Sequence, residues 1–200
     1  VILASTGGAI YGEPEYAPQD ESHPIRPLSP YGITKLVSER YLYFYEQTYG
    51  INWIALRYAN VYGPRQNSHG EAGVVAIFSE RMLRNEEAFI NGDGKQTRDY
   101  VHVQDVVQAN IKALNHPDNG IYNVGTGIET DVNELFTTLQ KLTGTSIPKQ
   151  HAEGKPGEQQ RSVVGTAKIE KEMGWKQQYD LTSGLDNTVD WFRKIAESNN

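Results

Sequence analysis

The 200-residue chain contains no cysteine. That excludes a disulfide framework and any thiolate metal site, and it is compatible with a cytoplasmic location. A long apolar run is also lacking. The short apolar start cannot span a bilayer, and no charged segment precedes it. Nor is there an excess of positive charge: 19 Lys and Arg against 25 Asp and Glu leave a net charge of −6. General binding of nucleic acid or of an anionic membrane surface is therefore not expected. An anionic ligand must be met by local cations, for which Arg65, Arg98, Lys155 and Arg161 are candidates. His23, His69, His102, His116 and His151 are too scattered to suggest a metal site. No internal repeat, heptad or low-complexity run occurs. What is present, 38% hydrophobic and 22% charged residues, is the composition of a folded globular protein. The length suffices for one sizeable core, or for a partial domain with a small lobe.

Among what is there, Tyr31-Gly-Ile-Thr-Lys35, directly behind Ser29-Pro30, carries the most information. Ser29 suits a helix N-cap, and Pro30 suits the first position, where its missing N–H would have lacked a partner anyway. Residues four apart share a helix face, so Tyr31 and Lys35 can address one reacting atom. A free tyrosine ionises near pH 10, and a neighbouring cation favours the phenolate, a usable base near neutral pH. On a solvated helix the same spacing means nothing, so the surroundings decide.

Val1 to Gly12 reads as a buried parallel strand entering a loop rich in hydroxyls and glycine. Ser5 and Thr6 then stand beyond a strand's carboxyl end, where open α/β sheets bind ligands. Together with Tyr31 and Lys35 they resemble the Ser/Thr…Tyr-x-x-x-Lys centre of the extended short-chain dehydrogenase/reductases, in particular the NAD-dependent epimerase/dehydratase family. The resemblance continues through Leu56-Arg-Tyr-Ala-Asn-Val-Tyr-Gly-Pro-Arg65, Gly92-Asp-Gly94, Thr97-Arg-Asp-Tyr-Val-His-Val103, Tyr122-Asn-Val-Gly125, Lys155-Pro-Gly-Glu158 and Met173-Gly-Trp175. Within the family it is closest to the enzymes that interconvert UDP-glucose and UDP-galactose at C4.

The resemblance implies an α/β fold: the carboxyl-terminal part of a doubly wound parallel, Rossmann-type sheet with a small α/β substrate-binding lobe. The family's opening strand, G-x-x-G-x-x-G turn and helix, which hold the cofactor pyrophosphate, have no counterpart here. The chain also begins at Val1 rather than at a methionine, so a piece of a longer enzyme is expected. The expected division is residues 1–73, a partial NAD-binding domain with the Tyr/Lys pair, and 74–102, a substrate-binding insertion. Residues 103–125 then return to the sheet, and 126–200 form mainly the carboxyl-terminal lobe. The patterning predicts helices near 31–49, 74–84, 103–115, 131–142, 166–173 and 183–197. It predicts strands near 51–58, 87–92, 96–103, 120–124 and 147–151, with 13–28 and 59–73 as loops. Ile33, Val37, Tyr41, Phe44 and Tyr45 form an apolar stripe expected to serve core packing or a dimer seam.

By resemblance, Tyr31 is the catalytic base, and Lys35 binds the nicotinamide ribose and lowers the tyrosine's pKa. The hydroxyl that orients the sugar oxygen falls, without gaps, on Gly7, so Thr6 and then Ser5 are the candidates. Tyr58 and Ala59 line the nicotinamide, and Asn60 donates to the diphosphate. Arg98 clamps the diphosphate, and a guanidinium fork suits phosphate bidentately. As a lone strand residue it would instead pair at the surface, with Asp99 the candidate partner. The main chain at Phe89 and Asn91 reads uracil. Lys155 stands where the family has a second phosphate-binding arginine, with Arg161 a possible compensation, and Glu158 binds the nucleotide ribose. Ser162 borders the pocket for the sugar's C2 substituent, where a small residue admits N-acetyl sugars. His102 reads as a structural histidine. NAD is the implied cofactor, a UDP-sugar the substrate, and a homodimer the assembly. The alternatives are another nucleotide-sugar enzyme (a UDP-N-acetylglucosamine 4-epimerase, decarboxylase or dehydratase) or a non-catalytic sugar-nucleotide binding module. For a 4,6-dehydratase, the acid pair beside the hydroxyl is missing from Gly7-Gly8-Ala9.

Overall fold

The computed structural model describes residues 1–69, 73–154 and 157–198. In chain order the elements are β1 (Ile2–Thr6), α1 (Gly8–Tyr11), α2 (Pro30–Tyr49), β2 (Ile54–Tyr58), β3 (Asn60–Tyr62) and α3 (Val74–Leu83). Then come β4 (Phe89–Asn91), β5 (Thr97–Arg98), β6 (Tyr100–His102), α4 (Val103–Leu114) and β7 (Gly120–Val124). The last are β8 (Thr130–Asp131), α5 (Val132–Thr143), β9 (Gln150–Ala152), α6 (Ala167–Met173) and α7 (Leu181–Ser198). No helix among the described residues is long and apolar enough to cross a membrane.

β1, β2 and β7 form a parallel sheet in that order, with Leu56 of β2 between Ala4 and Tyr122. Side chains alternate along a strand. Ile54 and Leu56 pack with Val106, Ala109 and Ala113 of α4, whereas Arg57, the next residue on the strand, bonds Glu39 of α2. Helices therefore cover both faces, as in a doubly wound sheet. Ile169 of α6 and Trp175 also join the sheet's core. A second core fills the lobe, from Val75, Phe78 and Met82 of α3, Leu135, Phe136 and Leu139 of α5, and Leu185 and Val189 of α7.

Helix α2 begins as its sequence requires: Ser29 accepts a bond from the Gly32 N–H at 3.1 Å, Pro30 follows, and Gly50 ends the helix in the left-handed region. Asp131 likewise caps α5 through the Glu134 N–H at 2.7 Å. The structure departs from expectation at four places, and it narrows a fifth reading. Gly8–Tyr11 forms a helical turn where a plain loop was expected. Asn60–Tyr62 is a strand pairing with β6, a non-local partner that a three-residue segment in a turn-rich loop does not announce. The expected strand near 96–103 breaks at Asp99 into β5 and β6, which pair with different partners. Asp99 is buried, and its carboxylate accepts from Thr126, Gly127 and Val164 instead of lying on a sheet face. The strand expected near 147–151 lies at Gln150–Ala152, because Ile147 is drawn into the lobe core. Finally, the stripe on α2 is not core within this chain: Ile33, Val37, Tyr41, Phe44 and Tyr45 are all exposed.

Candidate active site

Thr6 ends β1, Tyr58 ends β2, and Tyr31 opens α2, so the carboxyl edge of the sheet gathers all three. They line one cavity of about 500 Å³, together with Ser5, Gly8, Ala59, Asn60, Gln66, Arg98, Gln159 and Ser162. A second cavity of about 290 Å³ shares Asn60, Gly73 and Arg98 with the first and adds Phe89, Asn91, Tyr100 and Glu158. The two form a continuous cleft between sheet and lobe.

Tyr31 is 56% exposed. The Lys35 ammonium sits 5.7 Å from the Tyr31 ring centroid and donates to the Ala4 carbonyl at 2.8 Å. Lys35 does not itself line the cavity; from α2 it is held to β1 through the Ala4 carbonyl. The two hydroxyl candidates have different surroundings. Ser5 is buried and donates to Glu39 Oε1 at 2.6 Å, so its proton is committed to the helix behind the sheet. Thr6, half-buried, faces the cavity, and its hydroxyl has no hydrogen-bond partner among the described residues. Gly7 admits no side chain: a Cβ there would lie 2.6 Å from Val164 Cγ1. Val164 thus crowds position 7, and Thr6 is the neighbouring hydroxyl that faces the cavity.

Tyr58 reaches back to α4, where Asn110 Nδ2 donates to its hydroxyl at 2.9 Å, and burial pushes its pKa up. Asn60 is exposed at the junction of the two cavities. Arg98 lies at the same junction, donating to the Thr97 carbonyl at 2.8 Å and pairing with Glu158 at 3.5 Å. Its partner is thus Glu158 rather than Asp99. Burial raises the Asp99 pKa, opposed by the bonds from Thr126, Val164 and Gly127. Above Arg98, burial likewise pushes Tyr100 up to about 12.

Of the other cations, Arg161 is bound through two nitrogens to Glu129, at 3.0 and 2.8 Å, and lines neither cavity. Arg65 is exposed and also outside both linings. Lys155 lies outside the described residues. His102 is buried at the start of α4, accepts from the Gln104 N–H, and stacks 4.1 Å from Tyr179. Gln66 and Gln159 were not singled out by the sequence. A glutamine in a polar loop carries no signal, and only the cavity marks them.

Behind the cavity a polar network fixes α2. Glu39, buried on α2, accepts from Arg57 Nε at 2.9 Å and Nη2 at 2.6 Å. Arg57 Nη1 donates to the Tyr11 hydroxyl, which donates to Asn123 of β7 at 2.8 Å. Burial raises the Tyr11 pKa, with Arg57 opposing it. The network ties β1, α1, α2, β2 and β7 together directly beneath Tyr31 and Thr6.

Residues 1–125 match the model of the NAD dependent epimerase/dehydratase family. The chain belongs to that family. A putative UDP-glucose 4-epimerase of Methanocaldococcus jannaschii is 48% identical over 193 residues, covering 96% of this chain and 63% of the relative. A crystal structure of Thermotoga maritima UDP-glucose 4-epimerase with UDP-glucose superposes with a TM-score of 0.96 at 48% identity, covering 98% of this chain and 63% of that one. The Thermus thermophilus UDP-glucose 4-epimerase in complex with NAD gives 0.89 at 44% identity, over 96% and 63%. The chain thus spans about 63% of the length of these relatives.

Proposed function

We propose that the full-length gene product interconverts UDP-glucose and UDP-galactose at C4. The observation that carries this reading is the convergence of Tyr31, Thr6 and Ser162 on one cavity, joined at Asn60 and Arg98 to a second one. The names of the relatives support it. In this reading Tyr31 takes the proton of the C4 hydroxyl and later returns it, Thr6 orients that oxygen, and Lys35 steadies the phenolate. The Asn60 amide and the Arg98 fork hold the diphosphate, which competes with Glu158 for the guanidinium. Lys155 adds charge, Glu158 accepts from ribose hydroxyls, and the main chain at Phe89 and Asn91 meets the base. The cavity at the hydroxyl end leaves room for a 4-keto sugar to present its other face.

The residues fit NAD at the nicotinamide end. Tyr31 is open to the outside, and Lys35 commits one ammonium proton to Ala4, leaving others for ribose hydroxyls. Tyr58 and Ala59 form the adjoining wall. When bound, NAD supplies the reversible two-electron oxidation at C4.

Residues 1–73 with 103–125 are assigned to the cofactor side, and 74–102 with most of 126–200 to the substrate side. Ser162 lines the larger cavity with a side chain far smaller than a tyrosine, so UDP-N-acetylglucosamine and its epimer are proposed as further substrates. The exposed α2 stripe is assigned to a homodimer seam, and the protein to the cytoplasm. Supplying UDP-glucose and NAD to the full-length gene product should yield UDP-galactose. If UDP binds by calorimetry while no conversion occurs, the protein is a binding module instead.

A further inference from the structure

The loop that carries Ser162 holds a second polar group at the sugar end of the cleft. Gln159 is half-buried and lines the larger cavity beside Gly8 and Ser162. Its Nε2 donates to the Gly12 carbonyl at 2.6 Å and to the Arg161 carbonyl at 2.7 Å. Both partners are carbonyl oxygens, which only accept, so the atom facing them must be the nitrogen. Both of its protons are then committed. The carboxamide cannot turn over without losing two bonds.

The oxygen of that amide is consequently fixed on the other side. Oε1 lies 3.6 Å from where a Cβ on Gly8 would begin, and no donor meets it among the described residues. Gly8 lets Ser162 pack close beside this oxygen, since a Cβ there would stand 2.3 Å from Ser162 Oγ. The loop is itself anchored. Glu13 accepts from the Gln160 and Arg161 backbone N–H groups, and Arg161 is paired with Glu129. An acceptor immobilised before the ligand arrives does not have to be ordered on binding. Because it only accepts, it discriminates by chemistry: an O–H or N–H donor satisfies it, whereas a hydrogen leaves it unmet and another acceptor repels it.

We propose that Gln159 Oε1 is a specificity-determining acceptor, taking a hydroxyl or amide N–H of a hexose seated in the cavity that Gly8, Gln159 and Ser162 line. This rests on the UDP-hexose reading of the cleft. Calorimetric affinities of the full-length gene product for UDP, UDP-hexose and its 2-, 3- and 6-deoxy forms test it, in the wild type and in Gln159→Leu. One deoxy form should bind the wild type about 2- to 10-fold more weakly than the parent sugar, the range of one net hydrogen bond. That loss should vanish in Gln159→Leu. A residue that only braced the loop would weaken parent and deoxy ligands alike, leaving their ratio unchanged, and such a result overturns the proposal. So does a wild type that discriminates at no position. The wild type also gives a check that needs no variant. Fluorine in place of the same hydroxyl, an acceptor only, should bind no better than the deoxy form, and a fluoro ligand that regains affinity contradicts the assignment. UDP-hexose that binds without a position-specific loss removes Gln159 alone; UDP-hexose that gains nothing over UDP removes the hexose reading and Gln159 together.

Discussion

Helices α2 and α5 both carry apolar stripes in sequence, yet they solve opposite problems. The 12-residue α5 buries Val132, Leu135, Phe136 and Leu139 against α3 and α7. The 20-residue α2 carries more aromatics, but its buried residues are Gly32 and Glu39. Its apolar stripe points outward, with Tyr41 61% exposed. An ordinary helix is held by a packed face. In this chain α2 is held instead by directed bonds, from Ser5 and Arg57 to Glu39, and by the cap at Ser29. Directed bonds fix rotation about the helix axis, and rotation is what Tyr31 and Lys35 need to meet the end of β1. The free stripe of that size is the kind of surface that marks a partner contact.

Removing what holds each helix should have the largest effects. Phe136→Ala should cost about 3–5 kcal/mol in chemical denaturation, as large core truncations do. Glu39→Ala should cost a similar amount, about 3–5 kcal/mol, because Arg57 is left buried without its partner. A loss below about 1 kcal/mol at Glu39 would mean that the network does not hold α2. Next in size, Ser162→Tyr should lower use of UDP-N-acetylglucosamine by about ten- to a hundredfold, the effect of a clash of about 1–3 kcal/mol. Use of UDP-glucose should survive. Equal losses with both sugars would remove Ser162 from the gate.

The lobe side has a titratable marker of its own. Burial lowers the pKa of His102 from its ordinary 6.5. The unfolded chain therefore takes the proton first, and His102 contributes stability above pH 6.5 that is lost as pH falls toward its lower folded value. The slope is at most about 1.4 kcal/mol per pH unit. His102→Gln should remove that component, and identical profiles in wild type and variant would show that His102 is not its source. The smallest stability effect belongs to the exposed stripe. Tyr41→Ser with Tyr45→Ser should change stability by no more than about 0.5 kcal/mol while shifting the protein to monomer in light scattering. A wild type already monomeric at micromolar concentration contradicts the seam.

The long elements were legible because their signals are local. Ser29-Pro30 and Gly50 bracket α2, and Asp131 caps α5. β3 and β9 were missed or displaced because three-residue strands are defined by distant partners, Tyr100–His102 and Phe89–Asn91. At the site, the Tyr31/Lys35 pair and Arg98 stood out through motif chemistry. The choice between Ser5 and Thr6 did not, since it depends on Glu39 reaching the first and Val164 crowding Gly7. Gln159 was invisible for the same reason: two carbonyls brought together by folding give its amide a direction.

The central claim is that α2 exists in this chain to hold a base over the end of the sheet. The turnover number for UDP-glucose conversion by the full-length gene product, wild type against Tyr31→Phe, tests it most directly. Tyr31→Phe keeps the ring and deletes the hydroxyl, so turnover should fall by about 10² or more while UDP affinity stays unchanged. An unchanged turnover number would remove Tyr31 from the chemistry and contradict the account.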